Sequence, residues 1–220
     1  MTSPPGKAQS GLASRPFAAS ANPLRREWGL SGKFVVGYSG NLGRVHDVEA
    51  IIELIGALED EPETVMLFIG AGLGYRRLKD IVGDRRITKT VFRPYQPRER
   101  LRESLTAPDL HIVSLRSDCE GMVMPSKLYG ILAAGRPVLS IGNPNGSVAR
   151  IVRGSGAGFV AAPGRLDALA AEIGALAERA FEVRPVADDA LRIGRALIYA
   201  ARRRRRAADV PERAQPLGCL

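Results

Sequence analysis

The stretch DLHIVSLRSDCEGMVMPSKLYGILAAGRPVLSIG, residues 109–142, predicts a strand, a loop, a helix and a second strand. Its ends, DLHIVSL (109–115) and RPVLSIG (136–142), are short apolar runs, as expected of strands buried on both faces of a parallel sheet. The segment PSKLYGILAAG between them is typical of a helix closed by Gly135. A strand, a helix and a strand in this order form the crossover unit from which parallel sheets are built.

The same alternation extends to both sides of this stretch. Further strand-like runs lie at 34–40, 64–70, 88–95 and 157–162, with helix-like stretches between them. Six strands alternating with helices predict an α/β fold with a Rossmann-like, doubly wound parallel sheet of about six strands. Ligands of such sheets bind outside the carboxyl ends of the strands, so the loops that directly follow strands are the candidate sites.

Composition divides the chain into three parts. Residues 1–32 are rich in Ser, Pro, Ala and Gly and are predicted to be a flexible N-terminal segment, residues 33–182 the folded domain, and residues 183–220 a C-terminal helix and basic tail. A last helix is predicted from Asp188 to about Ala201. The net charge of +9 lies in the terminal parts, because residues 34–182 hold 18 basic and 18 acidic side chains.

The strongest charge block is the run of five arginines, Arg202, Arg203, Arg204, Arg205 and Arg206. Such a block is typically a solvated tail, and the alternatives are contact with an anionic membrane surface or with nucleic acid. The neutral charge of the domain itself argues against a nucleic-acid partner.

Compartment signals are few. The chain has no run of about 18 apolar residues, its N-terminus lacks the apolar region of a signal peptide, and its two cysteines form no disulfide framework. We therefore expect a cytoplasmic protein, with the inner face of the membrane as an alternative site of peripheral binding.

Three of the candidate loops follow the first three predicted strands. The first, GYSGNLGRVHD (37–47), offers glycines for close backbone approach and donors for an anion or a sugar: Gly40, Asn41, Gly43, Arg44 and His46. The second, GAGLG (70–74), is a close-approach turn around Gly72 that lacks the acid of a dinucleotide fingerprint. The third, FRPYQPRE (92–99), is a stiff polar loop suited to the edge of a base through Arg93, Tyr95 and Gln96. For each loop, a purely structural turn or connector remains the alternative.

The fourth loop belongs to the opening stretch. Pro125 and Ser126 stand where a helix begins and Lys127 lies in its first turn, so free N–H groups and a point charge favour an anion. The alternative for Lys127 is an incidental solvent-facing lysine. Glu120 and Gly121 lie in the same crevice, where the carboxylate can bind hydroxyls.

Other chemistries find little support in the sequence. Asp118 and Glu120 lack a third ligand, so no metal site is predicted. Neither a P-loop motif nor a Gly-x-Ser-x-Gly elbow occurs. His111 lies in the middle of a predicted strand and is interpreted as structural.

The ordered set YSGNLG, FIGAG, VFRPYQP, DLHIVSL and EGMVMPSKLYGILAAGRPV resembles the C-terminal, donor-binding half of group 1 (family 4) retaining glycosyltransferases of the GT-B fold. The resemblance covers about residues 22–182. It implies that the chain is one half of a two-domain enzyme whose other domain holds the acceptor, as in bacterial enzymes that build polysaccharides on lipid carriers. It also implies a UDP- or GDP-linked sugar as substrate, and no metal or other cofactor.

Site roles follow from the resemblance alone. Gly40 to Gly43 would approach the donor diphosphate or sugar, Arg93 to Gln96 would lie near the base, and Ser126 with Lys127 would bind the diphosphate. Glu120 is the candidate catalytic residue.

The chain departs from the family pattern at several positions. Where many members carry two glutamates eight residues apart, it has Met122 and Gly130, and Asn41 and His46 take the places of a basic pair in the first loop. Arg44 is then the candidate replacement for the lost charge. Because little more than thirty residues precede the first strand, we expect a separately supplied acceptor domain. The alternatives are a non-catalytic nucleotide-sugar-binding module and a truncated, inactive gene product with a membrane- or nucleic-acid-binding tail.

Overall fold

The computed structural model describes residues 21–179. Its strands are β1 (Phe34–Asn41), β2 (Thr64–Ala71), β3 (Thr90–Arg93), β4 (Leu110–Ser114), β5 (Val138–Ile141) and β6 (Gly158–Ala161). Its α-helices are α1 (Pro23–Glu27), α2 (Val48–Ala57), α3 (Leu73–Asp84), α4 (Leu101–Thr106), α5 (Lys127–Ala133), α6 (Ser147–Ser155) and α7 (Leu166–Arg179). Single 3-10 turns cover Arg98–Arg100 and Ser117–Cys119.

All six strands form one parallel sheet in the order β3-β2-β1-β4-β5-β6. β1 pairs along its full length with β2, and on its other side it meets β4 through Val36↔Leu110 and Gly37↔His111. The chain thus winds outward from β1 in one direction and outward from β4 in the other. The carboxyl ends of β1 and β4 therefore mark the topological switch point, where open α/β sheets bind their ligands. The predicted fold class is confirmed.

Both faces of the sheet are covered, which explains the nearly continuous apolar runs of the strands. One face, with Tyr38 and Phe68 among its buried side chains, packs against α2, α3 and α7. The opposite face packs against α5 and α6 around Val113 and against the α1 segment around Leu67.

The folded domain begins before Lys33. The side chain of Asn22 caps α1 by accepting from the backbone N–H groups of Leu24 and Arg25, and its amide donates to the Glu103 carbonyl at 2.8 Å. Leu24 is fully buried. The prediction of a flexible segment up to residue 32 is therefore wrong for residues 21–32, where an Asn-Pro pair supplies the cap and first residue of a helix. The predicted boundary at 182 and the predicted helix 188–201 lie outside the described residues.

A buried ion pair ties the α1 segment to the sheet. Nη1 of Arg25 donates to both carboxylate oxygens of Asp109, at 2.9 and 2.8 Å, and to the carbonyl of Ala107 at 3.1 Å. Nη2 of Arg25 donates to the carbonyls of Leu30 and Lys33. The Asp109 carboxylate also accepts from the backbone N–H of Val35 at 2.8 Å, so both charged groups of the pair are hydrogen-bonded.

A second long-range contact holds the last described helix. The carboxylate of Glu53, in α2, accepts from the backbone N–H groups of Gly164 at 2.9 Å and Leu166 at 3.1 Å. Glu53 thereby caps the amino end of α7 from outside that helix.

Candidate functional site

Two loops meet at the switch point, the one between β1 and α2 and the one between β4 and α5. The backbone N–H of Arg116 donates to the carbonyl of Val45 at 2.9 Å, and the backbone N–H of Asp47 donates to Oγ of Ser114 at 2.9 Å. These bonds join the first predicted loop to the end of β4. These hydrogen bonds therefore hold the two loops together at the base of the switch-point crevice.

His46 also takes part in the contact between the first loop and the end of β4. Its side chain is buried, its Nδ1 lies 2.6 Å from the carbonyl oxygen of Ser114, and its ring packs edge-on against Tyr38 at 5.6 Å between centroids. Because a carbonyl only accepts, Nδ1 carries the proton. Burial and then the charge that Lys127 carries at acid pH lower the pKa of His46 to about 4, against the opposing effect of the Ser114 and Asn41 carbonyls. The imidazole is therefore neutral at neutral pH.

Lys127 points inward from the start of α5 and lies over the ring of Tyr38. Its Nζ is 3.6 Å from the ring centroid and is buried, and no hydrogen-bond partner for it exists among residues 21–179. Burial holds the pKa of the Lys127 amine well below its usual range. The alternative of a solvent-facing lysine is thus excluded.

Tyr38 is a residue that the sequence analysis did not single out. Its hydroxyl donates to the carbonyl of Asn41 at 2.8 Å, and its ring separates Lys127 and His46 from the core. The available signal was a tyrosine near the polar end of a mostly apolar strand.

The glycines of the first two loops have different roles. A Cβ atom at Gly72, where φ is +126°, would lie 2.5 Å from Oδ1 of Asn41 and 2.6 Å from the carbonyl oxygen of Leu42, so this glycine lets the second loop pack against the first. A Cβ atom at Gly40 would meet nothing within 4 Å. Space above Gly40 is therefore open, while Gly72 has a structural reason that is independent of any ligand. Beyond Gly40, Gly43 is partly buried and Arg44 is exposed to solvent.

The third predicted loop lies away from Lys127. It follows β3, the outer strand, which is separated from β1 by β2. The guanidinium of Arg93 lies 5.8 Å from the ring centroid of Trp28, and Nε2 of Gln96 donates to the carbonyl of Pro94. Tyr95 is 54% exposed. The predicted site residues therefore form two groups, about 10 Å apart by strand spacing.

Glu120 joins the crevice to a neighbouring helix. Its Oε2 accepts from the backbone N–H of Ser147 at 3.1 Å, at the amino end of α6. Glu120 thus has a capping role that its sequence context did not suggest. Asp118 pairs instead with Arg116, and within residues 21–179 no three metal-ligating side chains cluster.

The rest of the fourth loop is open to solvent or supports α5. Gly121 is exposed at a φ of +80°, Pro125 is buried, and Ser126 is the exposed N-cap residue of α5. The loop brings Lys127 and Glu120 to the same end of the sheet.

We expect Glu120→Ala to lower the free energy of unfolding by about 1 kcal/mol, because the amino end of α6 loses its acceptor. Glu120→Gln keeps an acceptor oxygen and is expected to cost less. Chemical denaturation measures both changes. A loss of stability in Glu120→Ala no larger than that in Glu120→Gln would show that the carboxylate does not cap α6.

The chain matches the family model described as Glycosyl transferases group 1 over residues 21–186. That match covers more than half of the chain and coincides with the sheet and its helices. The protein therefore belongs to the group 1 glycosyl transferases.

Two curated relatives agree with this membership. The chain is 34% identical over 118 residues to the putative colanic acid biosynthesis glycosyl transferase WcaI of Escherichia coli (strain K12), covering 53% of this chain and 29% of the relative. It is 28% identical over 152 residues to the probable glycosyltransferase WbjE of Pseudomonas aeruginosa, covering 69% of this chain and 37% of the relative. The matched part thus spans about a third of these relatives.

Among solved structures, Anabaena Alr3699/HepE in complex with UDP and glucose has the same fold. The TM-score is 0.66 at 17% sequence identity, and the match covers 85% of this chain and 51% of that one. At this identity the likeness concerns the fold, which is that of GT-B glycosyltransferases.

Proposed function

We propose that this domain binds a UDP- or GDP-linked sugar at the switch-point crevice and, with a separate acceptor-binding domain, transfers the sugar to a lipid-linked polysaccharide acceptor. The observation that carries the proposal is the buried amine of Lys127, which lacks a partner among the described residues at the place where such sheets bind ligands. Membership of the group 1 glycosyl transferases supplies the reaction class.

The crevice suits a departing nucleoside diphosphate. Breaking the glycosidic bond leaves negative charge on the diphosphate, and a cation in a water-poor site stabilises that charge more than it would in water. Positive charge in the crevice comes from the buried amine of Lys127 and the exposed guanidinium of Arg44. The open space above Gly40 lets a phosphate oxygen approach the backbone. Since these groups supply the positive charge, the proposed reaction uses no bound metal, and activity retained in EDTA tests this point.

The nucleoside extends from the crevice toward β3 in this proposal. Tyr95 is exposed for stacking on the base, and Arg93 and Gln96 in the same loop are the proposed polar contacts to it. Ser126, at the start of α5, is the second contact to the diphosphate beside Lys127.

A second candidate function is donor binding without transfer. It is favoured by the engagement of the Glu120 carboxylate as a helix cap and by glycine at position 130, where many family members carry a glutamate. The two functions differ in one measurement, since only the first gives release of nucleoside diphosphate when acceptor domain and acceptor are added.

The donor site is tested by isothermal titration of the full chain with UDP, GDP and their sugar conjugates. Lys127→Met is expected to weaken binding roughly 10- to 100-fold, as for a lost hydrogen bond to a charged group. Lys79→Met, at an exposed position of α3, is the matched control and should bind as the wild type. Absence of binding by the wild type at millimolar ligand, or equal affinities of the two variants, would refute the site.

Membrane contact is proposed through the arginine run 202–206 at the inner face of the membrane. No helix within residues 21–179 has the length and apolarity needed to span a bilayer. Each arginine near an anionic surface contributes about 1 kcal/mol, so deleting residues 202–220 should abolish co-sedimentation with phosphatidylglycerol vesicles. Binding that persists after the deletion, or that is equal for phosphatidylcholine vesicles, would contradict this role.

A further inference from the structure

Among the described residues, the groups around the Lys127 amine carry no negative charge. β1 contributes the ring of Tyr38, the loop between β1 and α2 contributes His46, and β4 contributes His111. Burial raises the pKa of Tyr38 and lowers those of both histidines, so all three groups are neutral near pH 7. Burial is the cause that lowers the pKa of Lys127, and no carboxylate in residues 21–179 opposes it.

An ammonium group has three N–H donors and is costly to bury without acceptors. Within residues 21–179 the Lys127 Nζ has none, and the Tyr38 ring 3.6 Å away offers its π-face, which attracts an ammonium but does not replace three hydrogen-bond acceptors. A neutral amine tolerates this position far better than an ammonium does. A diphosphate in the crevice would change the balance, because it brings both acceptor oxygens and opposite charge.

We propose that the Lys127 amine, packed on the Tyr38 ring, is unprotonated in the donor-free protein and takes up one proton from solvent when the donor diphosphate binds. The inference rests on the proposed donor site and deepens it. One N–H bond forms, the proton comes from the buffer, and no covalent bond of protein or donor breaks. Tyr38 is the positioning residue, since its ring excludes water from the amine.

The proposal has a definite pH dependence. At acid pH, where the donor-free lysine is already protonated, binding takes up no proton. As the pH rises through the pKa of the donor-free lysine, uptake grows toward one proton for each donor bound. Donor affinity then falls with rising pH, by up to about tenfold for each pH unit.

The test is titration calorimetry of the full chain with UDP at pH 8, in buffers that differ in ionisation enthalpy. At this pH the diphosphate is fully ionised, because the second pKa of a phosphate ester is about 6. The apparent binding enthalpy should vary with buffer ionisation enthalpy in the sense of proton uptake. Lys127→Arg should bind UDP with a slope of zero, since arginine keeps its charge at all accessible pH values.

Two further variants separate Lys127 from its neighbours. His46→Gln should keep the buffer dependence, which excludes the imidazole as the proton acceptor. Tyr38→Phe should keep it as well, because the ring face is retained, while Tyr38→Leu should reduce it as water reaches the amine. Circular dichroism checks that each variant is folded.

Proton uptake by Lys127 and donor binding at the crevice can fail separately in this experiment. Binding of UDP by the wild type with no buffer dependence at pH 8 would overturn proton uptake and leave the donor site standing. A dependence that survives in Lys127→Arg would assign the proton to another group and overturn the inference. No binding of UDP, GDP or their sugar conjugates by the wild type would overturn the donor site and the inference together.

Discussion

Arg25→Met is expected to lower the free energy of unfolding by about 3–5 kcal/mol, the cost of removing one partner of a buried ion pair. The side chains of Arg25 and Asp109 are only 5% and 16% exposed, so the carboxylate would be left buried with only the Val35 N–H and the charge of Arg136 acting on it among the interactions described. The carbonyls of Ala107 and Lys33 would also lose their donor. Urea denaturation followed by far-UV circular dichroism measures the change.

The matched control is Arg77→Met, which breaks an exposed ion pair between α3 and Glu49. Exposed pairs contribute about 0–1 kcal/mol, so this variant should be close to the wild type. The double variant Arg25→Met/Asp109→Asn should be more stable than Arg25→Met alone, because it no longer buries a carboxylate that has lost Arg25. A loss below about 1 kcal/mol in Arg25→Met, equal to that of Arg77→Met, would show that the pair does not hold the α1 segment to the sheet.

Acidification from pH 6.5 to pH 4 is expected to cost on the order of 3 kcal/mol of stability for each of the two histidines. Burial lowers the pKa of both His46 and His111 to about 4 from an ordinary value of 6.5. Between pH 6.5 and pH 4 the two histidines are protonated in the unfolded chain but stay neutral in the folded domain. Stability is therefore complete above about pH 6.5 and falls as the pH approaches 4.

The chain contains only these two histidines, so variants isolate their effect. His111→Gln retains a donor for the Leu105 carbonyl, which Nε2 of His111 contacts at 2.9 Å. It should flatten the pH dependence by about half, and the double variant His46→Gln/His111→Gln should leave only the dependence due to carboxylates. Equal slopes for the wild type and the double variant would mean that folding does not lower the pKa of either imidazole, and would contradict this prediction.

Much of the sheet could be predicted from the apolar runs. The predictions 34–40 and 64–70 differ from β1 and β2 by one residue, because central strands need unbroken apolar sequence. The prediction 88–95 was too long, since β3 pairs only with β2 and over four residues. Pro94, which has no backbone N–H, follows its last residue.

The site was harder to predict, because its chemistry depends on contacts between distant residues. The sequence places Lys127 at the start of a helix, but only the packing of α5 against the sheet turns its amine onto Tyr38. Glu120 meets Ser147 across 27 positions, and no local pattern marks that contact. A loop position after a strand can be inferred from one sequence, whereas the direction of a side chain within the loop cannot.

The contact between Glu53 and the amino end of α7 has a consequence for the nascent chain. Glu53 is 111 and 113 positions away from its partners Gly164 and Leu166, and α7 covers the face of the sheet that α2 also covers. During synthesis on the ribosome, α2 and α3 can cover part of this apolar face early, but the part that packs under α7 stays open until Leu166 to Ile173 have been made. β1, β2 and α2 therefore leave the exit tunnel well before the last helix of their own face is available.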